Sequence, residues 1–184
     1  TTLFRSQSNE LFKRLTDVFL GILGLIVLSI PFIFVYLALK IGGGSAFYAQ
    51  ERITRDNKVF KIYKFRTMVE NAEAASGPVL AQDVDCRITK LGHFLRATRL
   101  DEIPQIYNIL IGDMSIVGPR PPLVREVEQY NSYQMQRLLV TPGLTCFWQA
   151  YGRSDLSFDD WMDMDMKYIK RRNIFLDIKL IVKT

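Results

Sequence analysis

The sequence predicts an α+β protein that is mostly helical, with an apolar N-terminal helix and a short β-hairpin. The first observation is the run Val18–Leu39, which has no charged residue and is long enough for a membrane helix. The second is a pair of strand-like segments, Ala46–Gln50 and Val59–Phe65, separated by a polar turn. The third is helical periodicity, which predicts amphipathic helices from Thr89 to about Ala97, from Leu123 to Leu139, from Ser157 to Arg172, and from Ile174 to Lys183.

Composition indicates one domain of ordinary size attached to the apolar run. The chain has 184 residues, enough to bury a core, and a net charge of +5. A basic chain of this kind suits an anionic membrane surface, a nucleotide or a nucleic acid, but no nucleic-acid-binding motif is present. The single histidine and the two cysteines, Cys86 and Cys146, argue against a zinc site, a serine–histidine triad and a disulfide framework.

Positive charge flanks the apolar run on both sides, whereas a simple spanning helix should carry it mainly on one. Lys13 and Arg14 precede the run, and Lys40 follows it. Pro31 removes a backbone hydrogen bond past the middle of the run, and the Ser29 hydroxyl can help satisfy the freed carbonyl. From the residues alone, a straight spanning helix and a kinked helix that enters and leaves by the cytoplasmic face are equally compatible.

The stretch from Arg96 to Pro121 carries the candidate chemistry, centred on the adjacent carboxylates Asp101 and Glu102. Pro104 is tolerated only in a first helical turn, and Gly112 is typical of a helix C-terminus. Asp101 is therefore predicted at the N-cap or in the first turn. At that place free amide groups and the helix dipole favour negative charge, including phosphate.

Ordinary helix capping is the favoured interpretation of an Asp–Glu pair at this place when it is taken alone. The following run Gly118–Pro122 shifts the balance, because its prolines hold Arg120 at a fixed angle. A solvated loop has no need of such a stiff arginine, whereas a phosphate site does. The stretch therefore favours metal-assisted phosphate chemistry at Asp101.

The segment LDEIPQIYNILIGDMSIVGPRP at 100–121 resembles the signature of the bacterial sugar transferases, the monotopic polyprenyl-phosphate phosphoglycosyl transferases. Further similar motifs are KRLTDVFLG at 13–21, FKIYKFRTM at 60–68, TPGLT at 141–145, Gly152-Arg153, and LDIK at 176–179. The resemblance extends from about Lys13 to the last residue, and the central run is long enough to be very specific.

The resemblance implies transfer of a phosphosugar from a UDP-sugar to polyprenyl phosphate, with release of UMP, as the first membrane step of glycoconjugate or polysaccharide assembly. Asp101 would be the nucleophile that carries the phosphosugar and a ligand of Mg²⁺, with Mn²⁺ as a possible substitute. Glu102 would position the acceptor or take its proton. The expected phosphate or nucleotide contacts are Lys64, Arg66, Arg96, Arg120 and Arg153.

The resemblance also implies an architecture and a location. Residues 1–40 would form a re-entrant membrane helix packed on a small cytosolic catalytic domain, residues 41–184. This domain would lie on the cytoplasmic face of the bacterial inner membrane, in contact with membrane lipids, as a monomer or a homodimer, and without nucleic acid.

The chain departs from the family pattern at two places. The serine–proline pair that breaks the family's membrane helix is separated here as Ser29-Ile30-Pro31, and Cys146 stands where the family commonly has glycine after TPGLT. Two other functions remain as alternatives. One is a membrane-bound phosphodiesterase acting on lipid diphosphates, and the other is a non-catalytic, membrane-anchored binding module in which Asp101 and Glu102 only cap a helix.

Overall fold

The computed structural model describes residues 7–70, 72, 85–151 and 157–184 and has the mostly helical α+β architecture expected. Its helices are α1 (Gln7–Ile41), α2 (Lys90–Ala97), α3 (Gln105–Ile111), α4 (Val124–Val127), α5 (Phe147–Tyr151), α6 (Phe158–Arg171) and α7 (Ile174–Lys183). Its strands are β1 (Phe47–Ile53), β2 (Val59–Phe65), β3 (Ser115–Val117) and β4 (Gly143–Thr145).

Helix α1 is the long apolar element that the sequence predicts. Within the described residues, it is the one helix whose length and composition would allow it to cross a membrane. It runs through Pro31 without interruption, and the Ser29 hydroxyl donates to the Ile26 carbonyl at 2.7 Å. The break predicted at Ser29 and Pro31 is therefore not confirmed, and the re-entrant path stays a prediction.

One side of α1 packs on the rest of the protein from its first turns to its last. Near its start, Glu10 pairs with Arg172 at 2.5 Å, and Arg14 donates to the carbonyls of Ile109 and Leu110 at 2.5 and 2.6 Å. Near its end, Val35 and Leu39 are buried in a core with Ala46, Phe65, Leu95, Ile103 and Ile106. Large apolar side chains between Leu11 and Ile41 cover the opposite, exposed side.

The predicted β-hairpin is confirmed. Strands β1 and β2 pair antiparallel, with Ile53 opposite Val59 at the turn and Phe47 opposite Phe65 at the far end. The turn contains Asp56 and Asn57, both in the left-handed region with φ of 58° and 59°. Asp and Asn tolerate this conformation better than most residues, so the polar turn suits its sequence.

A second, parallel pair joins β3 to β4 and brings two distant loops together. The backbones cross so closely that a Cβ on Gly143 would lie 2.0 Å from the Gly118 nitrogen. Only glycine fits at such a distance. This crossing anchors the Gly118–Pro122 run against the segment that begins at Thr141.

The predicted helix from Leu123 to Leu139 is wrong as one element. The structure has the short helix α4 and, separately, a 3-10 turn over Gln134–Leu139. The side-chain oxygen of Asn131 accepts from the amides of Tyr133 and Gln134 at 2.9 and 3.0 Å. This local turn offers the backbone partners that compete with a continuous helix.

The predicted helix starts at Thr89 and Ser157 are confirmed. The Thr89 hydroxyl accepts from the Gly92 amide at 2.9 Å, and the Ser157 hydroxyl accepts from the Asp160 amide at 3.2 Å. Each side chain satisfies an amide that has no partner within its helix, as an N-cap does. Helix α2 is placed in this way directly before the two candidate carboxylates.

Candidate active site

Asp101 and Glu102 lie in a short 3-10 turn, Leu100–Glu102, between α2 and α3. Helix α3 itself begins at Gln105, after Pro104, so the prediction of Asp101 at its N-cap or in its first turn is wrong. The predicted end of the helix is confirmed, because Gly112 has a left-handed φ of 99°. Pro104 lacks an amide hydrogen, so it cannot donate a helical hydrogen bond back to the carboxylate turn, and α3 begins only after it.

The turn follows a sharp reversal of the chain at Arg99, whose φ of 58° is uncommon for a residue with a side chain. The amides of Glu102 and Ile103 donate to the carbonyls of Arg99 and Leu100 at 3.2 and 3.3 Å. These bonds fix the turn. They place Asp101 toward the interior, where its residue is only 8% exposed.

Asp101 is a buried carboxylate that makes no ion pair within residues 7–70, 72, 85–151 and 157–184. Burial raises its pKa above the usual value, and repulsion from Glu102 acts in the same direction. The charges of Lys64 and Arg96 oppose this shift without cancelling it. A desolvated carboxylate that is not held in an ion pair is a competent nucleophile or cation ligand.

Glu102 is paired, in contrast to its neighbour. Its Oε1 accepts from Lys64 Nζ at 2.8 Å, and Arg99 lies at 4.0 Å from its other oxygen. Burial by itself would raise the pKa of Glu102, but Lys64, Arg120 and Arg99 outweigh burial and lower it. The two adjacent carboxylates therefore differ: Glu102 is held ionised, and Asp101 binds its proton more tightly.

The structure brings together three of the five predicted basic residues. Lys64 contacts Glu102 directly, while Arg96 and Arg120 lie close enough to the carboxylates for their charges to lower a carboxylate pKa. Arg96 is oriented by a bond from its Nε to the Thr67 hydroxyl at 2.9 Å. Arg120 lies over the Trp148 ring, with its guanidinium carbon 5.8 Å from the centroid.

Of the other two predicted basic residues, only Arg66 lies within the described residues, and it is not brought to this cluster. Arg66 pairs with Glu70 at 2.8 Å and donates to the Gly43 carbonyl, so its side chain is committed to the end of α1. Arg153 lies outside the described residues, and its role stays a prediction.

The donor set at this place fits a magnesium ion that is shared with a phosphorylated ligand. No group of three or more metal-ligating side chains occurs within the part of the chain that the structure describes. Mg²⁺ is commonly bound by one or two carboxylates together with substrate phosphates and water. Asp101 can supply such a carboxylate, and it is the residue predicted for that role.

An apolar groove begins directly after the two carboxylates. Its volume is about 530 Å³. Its walls are Leu25, Leu28, Ser29, Phe32 and Ile33 of α1, Phe47 and Tyr63 of the hairpin, and Ile103, Pro104, Ile106 and Tyr107. Tyr63 and Ile103 adjoin the paired residues Lys64 and Glu102 in sequence, so charged and apolar surfaces meet along the same two segments. The sequence analysis missed this groove because its walls come from three distant segments.

Comparison with known proteins gives a family match over nearly the whole chain. The sequence profile described as bacterial sugar transferase matches residues 8–184. The galactosyl transferase CpsE of Streptococcus agalactiae is 41% identical over 98% of this chain and 43% of its own length. The undecaprenyl-phosphate galactose phosphotransferase of Salmonella typhimurium is 37% identical over 97% of this chain and 40% of its own length.

A shorter relative is covered more fully. The exopolysaccharide production protein ExoY of Sinorhizobium fredii is 39% identical over 94% of this chain and 83% of its own length. The chain thus spans about two fifths of the two longer relatives and most of this one. The extent of the profile match and these identities together show that the chain belongs to the bacterial sugar transferase family.

Proposed function

We propose that the chain transfers a phosphosugar from a UDP-sugar to a polyprenyl phosphate and so begins the assembly of a glycoconjugate or polysaccharide on a lipid carrier. The observation that carries the proposal is a buried Asp101, without an ion pair among the described residues, placed between a basic cluster and an apolar groove. Such a site can accept a diphosphate on one side and a hydrocarbon chain on the other. The name of the Salmonella relative, which specifies undecaprenyl phosphate and galactose, supports the same substrate classes.

The reaction proceeds through two displacements at one phosphorus atom. A carboxylate oxygen of Asp101 attacks the phosphorus that bears the sugar, the bond to the bridging oxygen breaks, and UMP leaves. The phosphosugar is then bonded to Asp101. A phosphate oxygen of the polyprenyl phosphate next attacks the same phosphorus, which releases the Asp101 carboxylate and gives polyprenyl diphosphate sugar. Dividing a difficult displacement in this way lets a soluble donor and a lipid acceptor use one site in turn.

The charged residues around Asp101 hold the phosphates. Arg120 and Arg96 bind donor oxygens, since guanidinium groups match phosphate geometry. Lys64 keeps Glu102 ionised, so Glu102 can accept a hydrogen bond from a protonated acceptor phosphate and thereby position it or take its proton. Mg²⁺, or Mn²⁺ in its place, held by Asp101 and the donor diphosphate, would neutralise charge on the leaving nucleotide.

We also propose that the chain is monotopic, on the cytoplasmic face of the bacterial inner membrane. Contacts at both ends of α1 support this topology, because Glu10 and Leu39 pack on the same polar domain. A helix that crossed the hydrocarbon core of about 30 Å would separate its two ends by the membrane. The exposed apolar side of α1 would then enter the bilayer, with a bend at Ser29 and Pro31 as the predicted re-entrant path.

The proposal is tested by UMP release from a panel of UDP-sugars, measured in detergent with undecaprenyl phosphate. We expect one or more UDP-sugars to give multiple turnovers that stop when Mg²⁺ is chelated and resume when Mg²⁺ or Mn²⁺ returns. Without acceptor, release should end after about one UMP per protein, because Asp101 remains occupied. Continuous release without lipid would instead favour a phosphodiesterase, and no release from any UDP-sugar would contradict the proposal.

We expect the apolar groove to bind the hydrocarbon chain of the acceptor, so changes in it should affect only the second displacement. Replacing Ile33, which lines the groove, with tryptophan should raise the KM for undecaprenyl phosphate by about tenfold, corresponding to about 1.4 kcal/mol. The single turnover of UMP without acceptor should keep its rate, since the donor does not use the groove. Both quantities are measured on the same preparation.

The matched control is Ile22→Trp, because Ile22 is also exposed on α1 but neither lines the groove nor lies at the predicted bend. Its acceptor KM should remain within about twofold of the unmodified chain, a change of less than 0.5 kcal/mol. Equal increases for both variants would show a general disturbance of α1 in the detergent micelle. That result would contradict the assignment of the groove to the lipid chain.

A further inference from the structure

Arg137 and Asp165 form a buried ion pair behind the Gly118–Pro122 run. Arg137 lies in the 3-10 turn Gln134–Leu139, and Asp165 lies in the middle of α6. Their side chains are 2% and 1% exposed, and Nη2 of Arg137 is 2.6 Å from Oδ2 of Asp165. The sequence analysis assigned neither residue a role.

The same guanidinium group also holds the main chain at Arg120. Nη2 of Arg137 donates to the Arg120 carbonyl at 2.9 Å, and its Nη1 donates to the Tyr130 hydroxyl at 2.5 Å. The planar, forked shape of the guanidinium allows these bonds to form together with the Asp165 pair. Three separate segments of the chain are thus connected through one side chain.

Aromatic rings hold the side chain of Arg120 on the same side. Its guanidinium carbon lies 5.8 Å from the Trp148 centroid, and Trp148 lies 5.1 Å from Trp161. Trp161 in turn is 5.5 Å from the guanidinium carbon of Arg137. Arg120 is therefore held through its carbonyl and through its ring contact by one connected cluster. That cluster consists of Arg137, Asp165, Tyr130, Trp148 and Trp161.

Stability alone does not account for this arrangement. Removing two charges from water costs several kcal/mol per ion, so replacing a buried ion pair with apolar residues of similar size is often neutral or stabilising. What the pair supplies is a fixed direction for its hydrogen bonds. Arg137 of the pair donates to the Arg120 carbonyl. The side chain of Arg120 lies close enough to Glu102 for its charge to lower the pKa of that carboxyl.

We propose that Arg137 and Asp165 are positioning residues, which fix the main chain at Arg120 so that its guanidinium is aimed at the donor diphosphate. This inference rests on the proposed function. Neither residue touches the reacting atoms, because both are enclosed behind the run. Their effect on the reaction passes through Arg120 and disappears when Arg120 is removed.

A double-mutant cycle tests this dependence. Arg137→Met with Asp165→Leu removes both charges while keeping apolar volume, and Arg120→Ala removes the side chain that is positioned. We expect the paired replacement to lower kcat/KM for the UDP-sugar by about 30-fold in the unmodified chain. In the Arg120→Ala chain it should lower kcat/KM less than about twofold, because contacting residues that act as a unit are not additive.

The matched control uses the ion pair that Arg172, the residue after α6, makes with α1. Arg172→Met with Glu10→Leu removes this 2.5 Å pair, which makes no bond to Arg120. Its effect should be the same factor with and without Arg120. The melting temperature of every variant is measured, and Arg137→Lys, which retains charge without the fork, repeats the cycle if the paired replacement does not fold.

The outcomes separate the inference from the proposed function. Absence of transfer by the unmodified chain would contradict the proposed function. Transfer by the unmodified chain, with equal factors in both Arg120 backgrounds or with no loss in either, would overturn the positioning role alone. Unfolding of both the paired replacement and Arg137→Lys would assign the ion pair to stability and would also overturn the positioning role.

Discussion

Replacing Asp101 with asparagine should reduce phosphosugar transfer at least about 10³-fold, which corresponds to about 4 kcal/mol of transition-state stabilisation. Asparagine has nearly the same shape but is a poor nucleophile, and it cannot carry the phosphosugar. The measurement is single-turnover UMP release without acceptor, together with the mass of the intact protein. The unmodified chain should gain one phosphosugar on Asp101, and the variant should gain none.

Asp113→Asn is the matched control. Asp113 lies just after α3, outside the carboxylate turn, and its replacement removes the same negative charge as Asp101→Asn does. It should retain activity within about threefold, less than 1 kcal/mol. If Asp101→Asn retained its fold and more than a tenth of the activity, covalent catalysis at Asp101 would be excluded. Unchanged binding of the donor with no chemistry in the unmodified chain would favour the binding-module alternative.

Replacing Arg120 with alanine should lower kcat/KM for the UDP-sugar about 10²-fold, a loss of about 3 kcal/mol. Its guanidinium is stacked on Trp148 beside the carboxylates, so little conformational entropy is lost when it binds an oxyanion. The expected change falls mainly on kcat, because the charge on the diphosphate increases as UMP leaves. Steady-state rates over a range of UDP-sugar concentrations separate the two parameters.

Arg99→Ala provides the comparison for Arg120. Arg99 is also within 4.0 Å of Glu102, but its side chain is 40% exposed, and no aromatic ring among the described residues stacks on it. We expect a loss of less than about fivefold, under 1 kcal/mol, as for exposed ion pairs. Equal losses for the two variants would mean that total positive charge, rather than a fixed guanidinium, assists the reaction.

Local patterns predicted those parts of the fold that depend on neighbouring residues. The hairpin followed from two short alternating segments around a polar turn, and the starts of α2 and α6 followed from the hydroxyls of Thr89 and Ser157. The long helix from 123 to 139 was wrong because Asn131 forms a local turn that a periodicity of apolar residues does not register.

The residues of the candidate site were named from the sequence, but their arrangement in space was not predicted. The adjacent Asp101 and Glu102 and the proline-flanked Arg120 were recognisable as residues in the sequence. The pairing of Lys64 with Glu102 spans 38 positions, and Arg66, two residues along, turns instead to Glu70. No spacing rule distinguishes these two basic residues, because their directions depend on how the hairpin packs against the turn.

The sequence by itself determined the family, the apolar helix and the pair of carboxylates, because each can be recognised from contiguous residues. Only the tertiary structure showed that Glu102 is ion-paired, whereas Asp101 makes no ion pair among the described residues. It also decided that α1 contributes a wall to the groove beside the carboxylates, and that a buried Arg137 holds Arg120. The physical reason is that burial and ion pairing depend on contacts between distant segments, whereas helices, turns and caps form from neighbours.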